Sequence, residues 1–203
     1  LPTAALRPPR VEGGVQFMHR AGRPAPAPFV GRHYQVDGAV VRPLPLQAGG
    51  IPTWIAGGGE KVTLRIAAKH AQYTNFSGLP EEFDHKSELL RAHTLDVGTD
   101  FDAIVRSSNY NTVIAETESE LEDRLAAIEA RVAPHLDQRT LERYMHDYRS
   151  ERALCVGTPE QIIERLQDMR GRGLSYAIHY FPEAAYDRSG MDLFASTVIP
   201  ALS

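Results

Sequence analysis

Gly57, Gly58 and Gly59 are the residues whose type and spacing most directly suggest chemistry. Without a Cβ, consecutive glycines enter left-handed backbone conformations at little cost and let a ligand approach the main chain closely. They follow the short apolar run Pro52 to Ala56 and precede a helical pattern. Strand, turn and helix N-terminus would then aim several N–H groups at one spot, where the helix dipole favours negative charge. That is a phosphate site in outline. Glycines after a strand also serve as a plain tight βα turn, and spacing leaves both readings open. The named phosphate signatures do not fit. A P-loop needs a Lys-Ser/Thr pair after its last glycine, where Glu60 and Lys61 stand, and the dinucleotide fingerprint asks for glycine or alanine in place of Val62.

Two further side chains could line a site. Asn75 ends a predicted strand, on the face where barrel enzymes place ligand groups, although an asparagine there is more often a turn former. His179 lies in the last predicted strand, with Ala177 and Phe181 on its own face. It could orient substrate or exchange a proton near neutral pH; its commoner role is that of a hydrogen-bonded packing histidine. Cys155, the only cysteine, has no nearby His or acidic group to pair with and reads as a small buried hydrophobe. No HExxH or equivalent spacing occurs, so no metal is expected. The acidic runs Glu81 to Asp84 and Glu116 to Asp123 read as helix starts and solvated faces.

The elements that must position these residues are regular from Ile51 onward. Pro52 to Ala56 is bounded by glycines and too short for a helix, so it reads as a buried strand. Leu64, Ala67, Ala68 and Ala71 then form one apolar helical stripe. Gln72 to Phe76 is a second strand. Pro80 opens a helix through about Val97, with Phe83, Leu90 and Val97 on one side and Gly98 as its stop. Ile104 to Ala115 is a third strand. Thr117 and Glu120 form a capping box for a helix carrying Leu121, Leu125, Ile128 and Val132. The charged stretch from His135 to Ala153 predicts a peripheral helix or lid. Thr158, Pro159 and Gln161 open the next helix, whose apolar face is Ile162, Ile163, Leu166 and Met169. Ser175 to Phe181 is a fourth strand, and Met191 to Leu202 a last helix with Phe194, Val198 and Ile199 inward. Four strands, each followed by a helix, imply a parallel sheet with right-handed crossovers. Half of an eightfold barrel and a doubly wound open sheet both produce that string.

Residues 1–50 are an irregular N-terminal segment. Val11, Val15 and Met18 mark a short helix that Gly13 and Gly14 weaken by roughly 1 kcal/mol each. A β-hairpin excursion follows, with Tyr34 and Val36 facing Val40 across Asp37-Gly38. Residues 51–203 then carry the regular half. The 203 residues are 42% hydrophobic and 24% charged with a net charge of −4, so no basic footprint argues for nucleic acid or an anionic membrane. No stretch is long and apolar enough to span a bilayer, and the N-terminus lacks a signal peptide's apolar core. A cytoplasmic location is the expectation. The chain begins at Leu1 without an initiator methionine, which suggests processing or a fragment.

From about Phe29 to Leu202 the chain resembles the C-terminal half of the bacterial luciferase-like monooxygenase superfamily, in the branch that depends on the deazaflavin coenzyme F420. The matching words are GRHYQVDGAVVRPLPLQ, IPTWIAGGGEKVTLRIAAKHAQYTNF, KSELLRAHTLDVGTD, VIAETESE, VGTPEQIIERL and LSYAIHYF. The resemblance implies an α/β protein of the TIM (β/α)8-barrel family, with this chain supplying roughly the last four βα units. In that family the turn after the fifth strand holds the cofactor phosphate. It corresponds to Gly57, Gly58 and Gly59, with Thr63 as a hydroxyl donor one turn later. Glu60 is accommodated if its side chain points to solvent. The family's ring-binding and proton-donating residues lie on the first four strands, so no catalytic residue carries over. Gln72 stands where relatives commonly have Asp, and Ser107 to Thr112 is more polar than a barrel interior usually is.

The resemblance implies a flavin- or deazaflavin-dependent oxidoreductase that acts on a small organic molecule by hydride transfer or monooxygenation. The cofactor would be F420, or FMN as the alternative. A second reading, from another class, is a catalytically empty half-barrel that binds a phosphate-bearing cofactor or pairs with a partner chain. Open parallel edges and exposed apolar surface predict a homodimer. Neither a nucleic acid nor a membrane partner is expected.

Overall fold

A computed structural model of the chain describes residues 7–23, 28–39 and 41–203. It divides into two compact units, Leu1–Asn75 with Ser87–Ile104, and Phe76–Lys86 with Val105–Ser203. The first holds α1 (Arg7–Ala21), β1 (Phe29–Val30), β2 (Gln35–Val36), β3 (Trp54–Ala56), α2 (Thr63–His70) and β4 (Tyr73–Asn75). Helix α3 (Pro80–Val97) contributes its first turns to the second unit and the remainder to the first. The second continues with β5 (Val105–Ile114), α4 (Glu118–Val132), α5 (Gln138–Arg149), β6 (Cys155–Gly157), α6 (Pro159–Gly171), β7 (Tyr176–Tyr180), α7 (Ser189–Leu193) and α8 (Ile199–Leu202).

In the first unit, β3 and β4 are parallel and joined by α2, with Trp54, Ile55 and Ala56 opposite Tyr73, Thr74 and Asn75. Side chains alternate along a strand. Ile55 and Thr74 are accordingly buried, and the Thr74 hydroxyl donates to the Ile55 carbonyl at 2.9 Å. The stripe expected of α2 is the face it buries: Leu64, Ala67, Ala68 and Ala71 are all in the core. Helix α1 is longer than its glycines suggest, at 15 residues. Gly13 lies against the Tyr34 ring, where a Cβ would stand 3.3 Å away, and Glu12 reaches Lys69 Nζ at 2.8 Å on α2. Tertiary contact thus overrides weak local propensity. The hairpin also differs from expectation. Its antiparallel pair is Phe29–Val30 with Gln35–Val36, so the chain reverses through residues 31–34. Gly38 does have the expected positive φ, 66°, but Val40 lies outside the described residues.

In the second unit, β5 is the organising strand. Ser107 to Asn111 pair in parallel with β7, and Thr112 to Ile114 pair in parallel with β6. Strand β6 was not expected. Its three residues offer no alternation to read, only a short apolar run before the α6 cap, and pairing alone defines it. Helix α5 is integral to the fold. Its Met145 and Tyr148 join Val113, Ala115, Val156 and the α4 stripe of Leu121, Leu125 and Ile128 in one core. Thr117 caps α4, its hydroxyl accepting from the Glu120 N–H at 3.2 Å, and Gln161 closes α6 by accepting from the Thr158 N–H at 3.0 Å. Arg124 on α4 donates to Glu120 at 3.0 Å and to the Ser189 hydroxyl at 2.7 Å, tying that helix to the segment after β7. Between α7 and α8 lies one π-helical turn, Phe194–Val198. Pro200 has no N–H to continue an α-helical ladder, and the wider turn accommodates the gap. Phe194 and Val198 therefore point inward as expected, whereas Ile199 is rotated out, 52% exposed.

Candidate functional site

The glycine turn begins where β3 and β4 end in register, Ala56 beside Asn75. Gly57 has φ +124°, a conformation that side chains disfavour, and its N–H donates to the Asn75 carbonyl at 2.8 Å. That amide is thus spent on the sheet, and the expectation of a free N–H there is corrected. The turn then closes onto α2 through Leu64 N–H to the Gly59 carbonyl, 3.0 Å. Thr63 lies over both glycines. A Cβ on Gly59 would stand 2.7 Å from its hydroxyl oxygen, and one on Gly57 would stand 3.3 Å from its methyl. No side chain caps the N-terminus of α2, because Val62 occupies the capping position. Of the amides at this end, those of Leu64 and Ile66 are spent on the Gly59 and Val62 carbonyls, and those of Thr63 and Arg65 have no backbone acceptor among the described residues and sit at the dipole's positive end. Gly58, Gly59 and Lys61 are exposed, as is Glu60. The Glu60 carbonyl accepts from His93 Nε2 at 2.7 Å, so this ring nitrogen carries the proton and pins the turn to α3. The turn thus brings a hydroxyl, exposed glycine backbone and an uncapped helix start to one place, groups whose chemistry suits an anion.

Asn75 is half-buried at the end of β4, on the face it shares with Trp54, Ala56 and Tyr73. Trp54 and Tyr73 stack at 4.8 Å between ring centroids. This aromatic pair next to Asn75 was not singled out in the sequence; the alternation in Trp54-Ile55-Ala56 and Tyr73-Thr74-Asn75 carries the signal.

His179 belongs to the second unit. Its Nδ1 lies 2.9 Å from the Thr112 hydroxyl, and its ring packs on Phe194 at 4.5 Å and on Tyr110 at 5.7 Å. Burial holds its pKa down to about 4, so the ring is neutral at physiological pH. The opposite face of the same strands carries Asn111 and Tyr180, both exposed, which the sequence reading passed over. Cys155 is fully buried, and burial pushes its thiol up to about 12, which removes it from nucleophilic chemistry at neutral pH. Among the described residues no cluster of three or more His, Cys, Asp and Glu could hold a metal ion, and no helix is long and apolar enough to cross a membrane.

A family model of luciferase-like monooxygenases matches residues 5–176. The chain belongs to the luciferase-like monooxygenase family. Three solved structures illustrate the likeness. One is an F420-dependent secondary alcohol dehydrogenase in complex with an F420-acetone adduct, 15% identical, with a TM-score of 0.74 over 100% of this chain and 64% of that one. Another is a riboflavin lyase with modified FMN and substrate riboflavin, 15% identical, TM-score 0.72, covering 97% and 57%. A third is an EDTA monooxygenase from Chelativorans sp. BNC1, 19% identical, TM-score 0.72, covering 100% and 60%. At such identities the likeness shows the fold, which is α/β of the (β/α)8-barrel family. The chain spans about three fifths of the length of these luciferase-like structures. No curated protein matches it.

Proposed function

We propose that this chain is the cofactor-phosphate-holding part of a cytoplasmic oxidoreductase that transfers hydride to or from a small organic substrate, or monooxygenates it. Residues 51–203 supply roughly the last four βα units and residues 1–50 an irregular lead-in, with the protein working as a homodimer. The observation that carries this reading is the placement of Thr63 over Gly57 and Gly59 at an uncapped helix start. In it, Gly58, Gly59, Thr63 and Arg65 present backbone N–H groups to a phosphate, and the Thr63 hydroxyl donates to a phosphate oxygen. His93 holds the turn in place through Glu60, whose charge sits beside the cradle on an exposed side chain. A deazaflavin or flavin bound there supplies the hydride or oxygen chemistry. We favour F420, with FMN as the alternative. The chain's own residues anchor and orient; none of them is assigned a proton-transfer role, and the neutral, packed His179 is left out of the chemistry.

The test is an equilibrium titration of the chain with F420 and with FMN, followed by cofactor fluorescence. Saturable binding of one of the two is expected, with turnover by the full-length enzyme only with the cofactor that binds. If neither binds, the reading is lost.

A further inference from the structure

We infer that the segment from Phe181 to Arg188, between β7 and α7, is a strap latched to α4 by Arg124, and that the charge on Glu183 sets whether the latch is closed. The inference does not depend on the cofactor reading. The strap carries the chain from the C-terminal end of β7 back to that of β5, where a Cβ on Gly190 would stand 3.5 Å from the Ile114 carbonyl oxygen. Enzymes of the (β/α)8 architecture bind their ligands at such strand ends, so a strap that opens there changes access to them.

Most of the strap is exposed and folds on itself. Ala185 to Arg188 face solvent, and the Tyr186 and Asp187 N–H groups both donate to the Glu183 carbonyl at 2.8 Å. Two side chains of α4 reach over to it. The Arg131 guanidinium lies 4.1 Å from the centre of the exposed Tyr186 ring. Arg124 sits deeper. Its Nη2 donates to Glu120 at 3.0 Å and to the Ser189 hydroxyl at 2.7 Å, while Nη1 stands 3.6 Å from Glu183 and 3.5 Å from Asp187.

Two cations therefore face three carboxylates, those of Glu120, Glu183 and Asp187. The Glu120 and Asp187 side chains are 44% and 54% exposed, and water stabilises their charges; that of Glu183 is only 11% exposed. Arg124 Nη1 is shielded from solvent and has no hydrogen-bond partner among the described residues. The closed latch thus holds a desolvated carboxylate and a desolvated N–H at ion-pair distance without a hydrogen bond between them. Such a pair repays its removal from water poorly, and opening rehydrates both groups.

Proton uptake by Glu183 removes the desolvated charge and favours the closed form. Burial raises this carboxyl above the ordinary value of 4.5, against the opposing pull of Arg124 and Arg131 and with Asp187 adding to the rise. The proton's contribution to closure is fully present below pH 4.5 and is lost as pH rises through the raised value. Asp187 shifts the other way, but its carboxylate is held by the N–H and hydroxyl of Ser189, local contacts that do not require α4.

Amide hydrogen exchange of the full chain, read residue by residue by NMR and corrected for the intrinsic pH dependence of exchange, tests the latch. Protection of the Tyr186 and Asp187 amides is expected to fall as pH is raised from 5 to 8, while that of the β5 amides, which report global unfolding, does not fall with it. Glu183→Gln keeps the side chain's shape without its charge. It is expected to raise the strap's protection at pH 8 by at least about tenfold and to abolish the pH dependence. Arg124→Gln leaves Glu183 buried without its nearest counter-charge and should lower that protection at pH 8. Arg124→Lys serves if the glutamine variant does not fold, since a single ammonium cannot reproduce the guanidinium's fork of contacts. Strap protection that is flat or rises from pH 5 to 8, that is the same in Glu183→Gln as in the parent, or that follows the β5 amides throughout would overturn the inference.

Discussion

Gly59→Ala is expected to weaken cofactor binding by roughly ten- to a hundredfold, the equivalent of losing one hydrogen bond to a charged group, and to change stability by less than about 1 kcal/mol. The new methyl would stand 2.7 Å from the Thr63 hydroxyl oxygen, a separation that cannot persist. Thr63 is half-buried at the first turn of α2 and can rotate about χ1, so the fold absorbs the methyl at low cost. The rotation that relieves the clash carries the hydroxyl away from the turn, so the site loses its donor. Thr63→Val removes the same donor directly. The two substitutions together should then cost little more than either alone, since both delete one interaction. Gly57→Ala acts differently, through its φ of +124°, and should lower stability as well as affinity. A Gly59→Ala protein that binds the cofactor as tightly as the parent would show that Thr63 makes no contact with it.

Acid should destabilise the protein through His179. Its folded pKa of about 4 lies below the ordinary histidine value of 6.5, because burial among Tyr110, Phe181 and Phe194 disfavours the charged ring. The neutral ring is the form the fold accepts. The stability linked to it is fully present above pH 6.5 and is lost progressively as pH falls from 6.5 through about 4, because the unfolded chain takes up the proton first. The gap corresponds to about 3 kcal/mol, a large fraction of a typical domain's stability. Urea midpoints at pH 7, 5.5 and 4 measure it. His179→Phe should flatten the acid limb by most of that amount while losing the Thr112 hydrogen bond at every pH. An equally steep limb in the variant would place the acid sensitivity elsewhere. Part of the limb is expected to remain, since burial also lowers the pKa of His19 in the first unit.

What was legible in the sequence was local. The α2 stripe, the Thr117 cap and the opening of α6 depend on residues within a few positions of one another, and they stand where periodicity and capping chemistry put them. What was not legible depended on partners distant in the chain. Strand β6 exists because Thr112 to Ile114 lie beside it, and three residues have no period of their own. The charges in α5 suggested a peripheral element, yet two side chains one turn apart, Met145 and Tyr148, suffice to build it into the core. At the site, the order of strand, glycine turn and helix was readable from the sequence. That the Gly57 amide serves the sheet was not, because its acceptor is the carbonyl of Asn75, at the end of the next strand. His179 shows the same limit. Its partner Thr112 is 67 residues away, and no alternation pattern within β7 shows which face a later helix will cover. That Asn111 and Tyr180 stand side by side became visible only with the register of β5 and β7.

The central claim is that the turn Gly57 to Thr63 holds a phosphate. The most direct measurement compares the affinity of the chain for FMN with that for riboflavin, and for F420 with that for its phosphate-free chromophore, by equilibrium titration. The account predicts that the phosphate-bearing member of the pair that binds is preferred by at least about tenfold, or 1.4 kcal/mol, and that Gly59→Ala erases most of the preference. Equal affinity for the two members, or a preference untouched by Gly59→Ala, would contradict it.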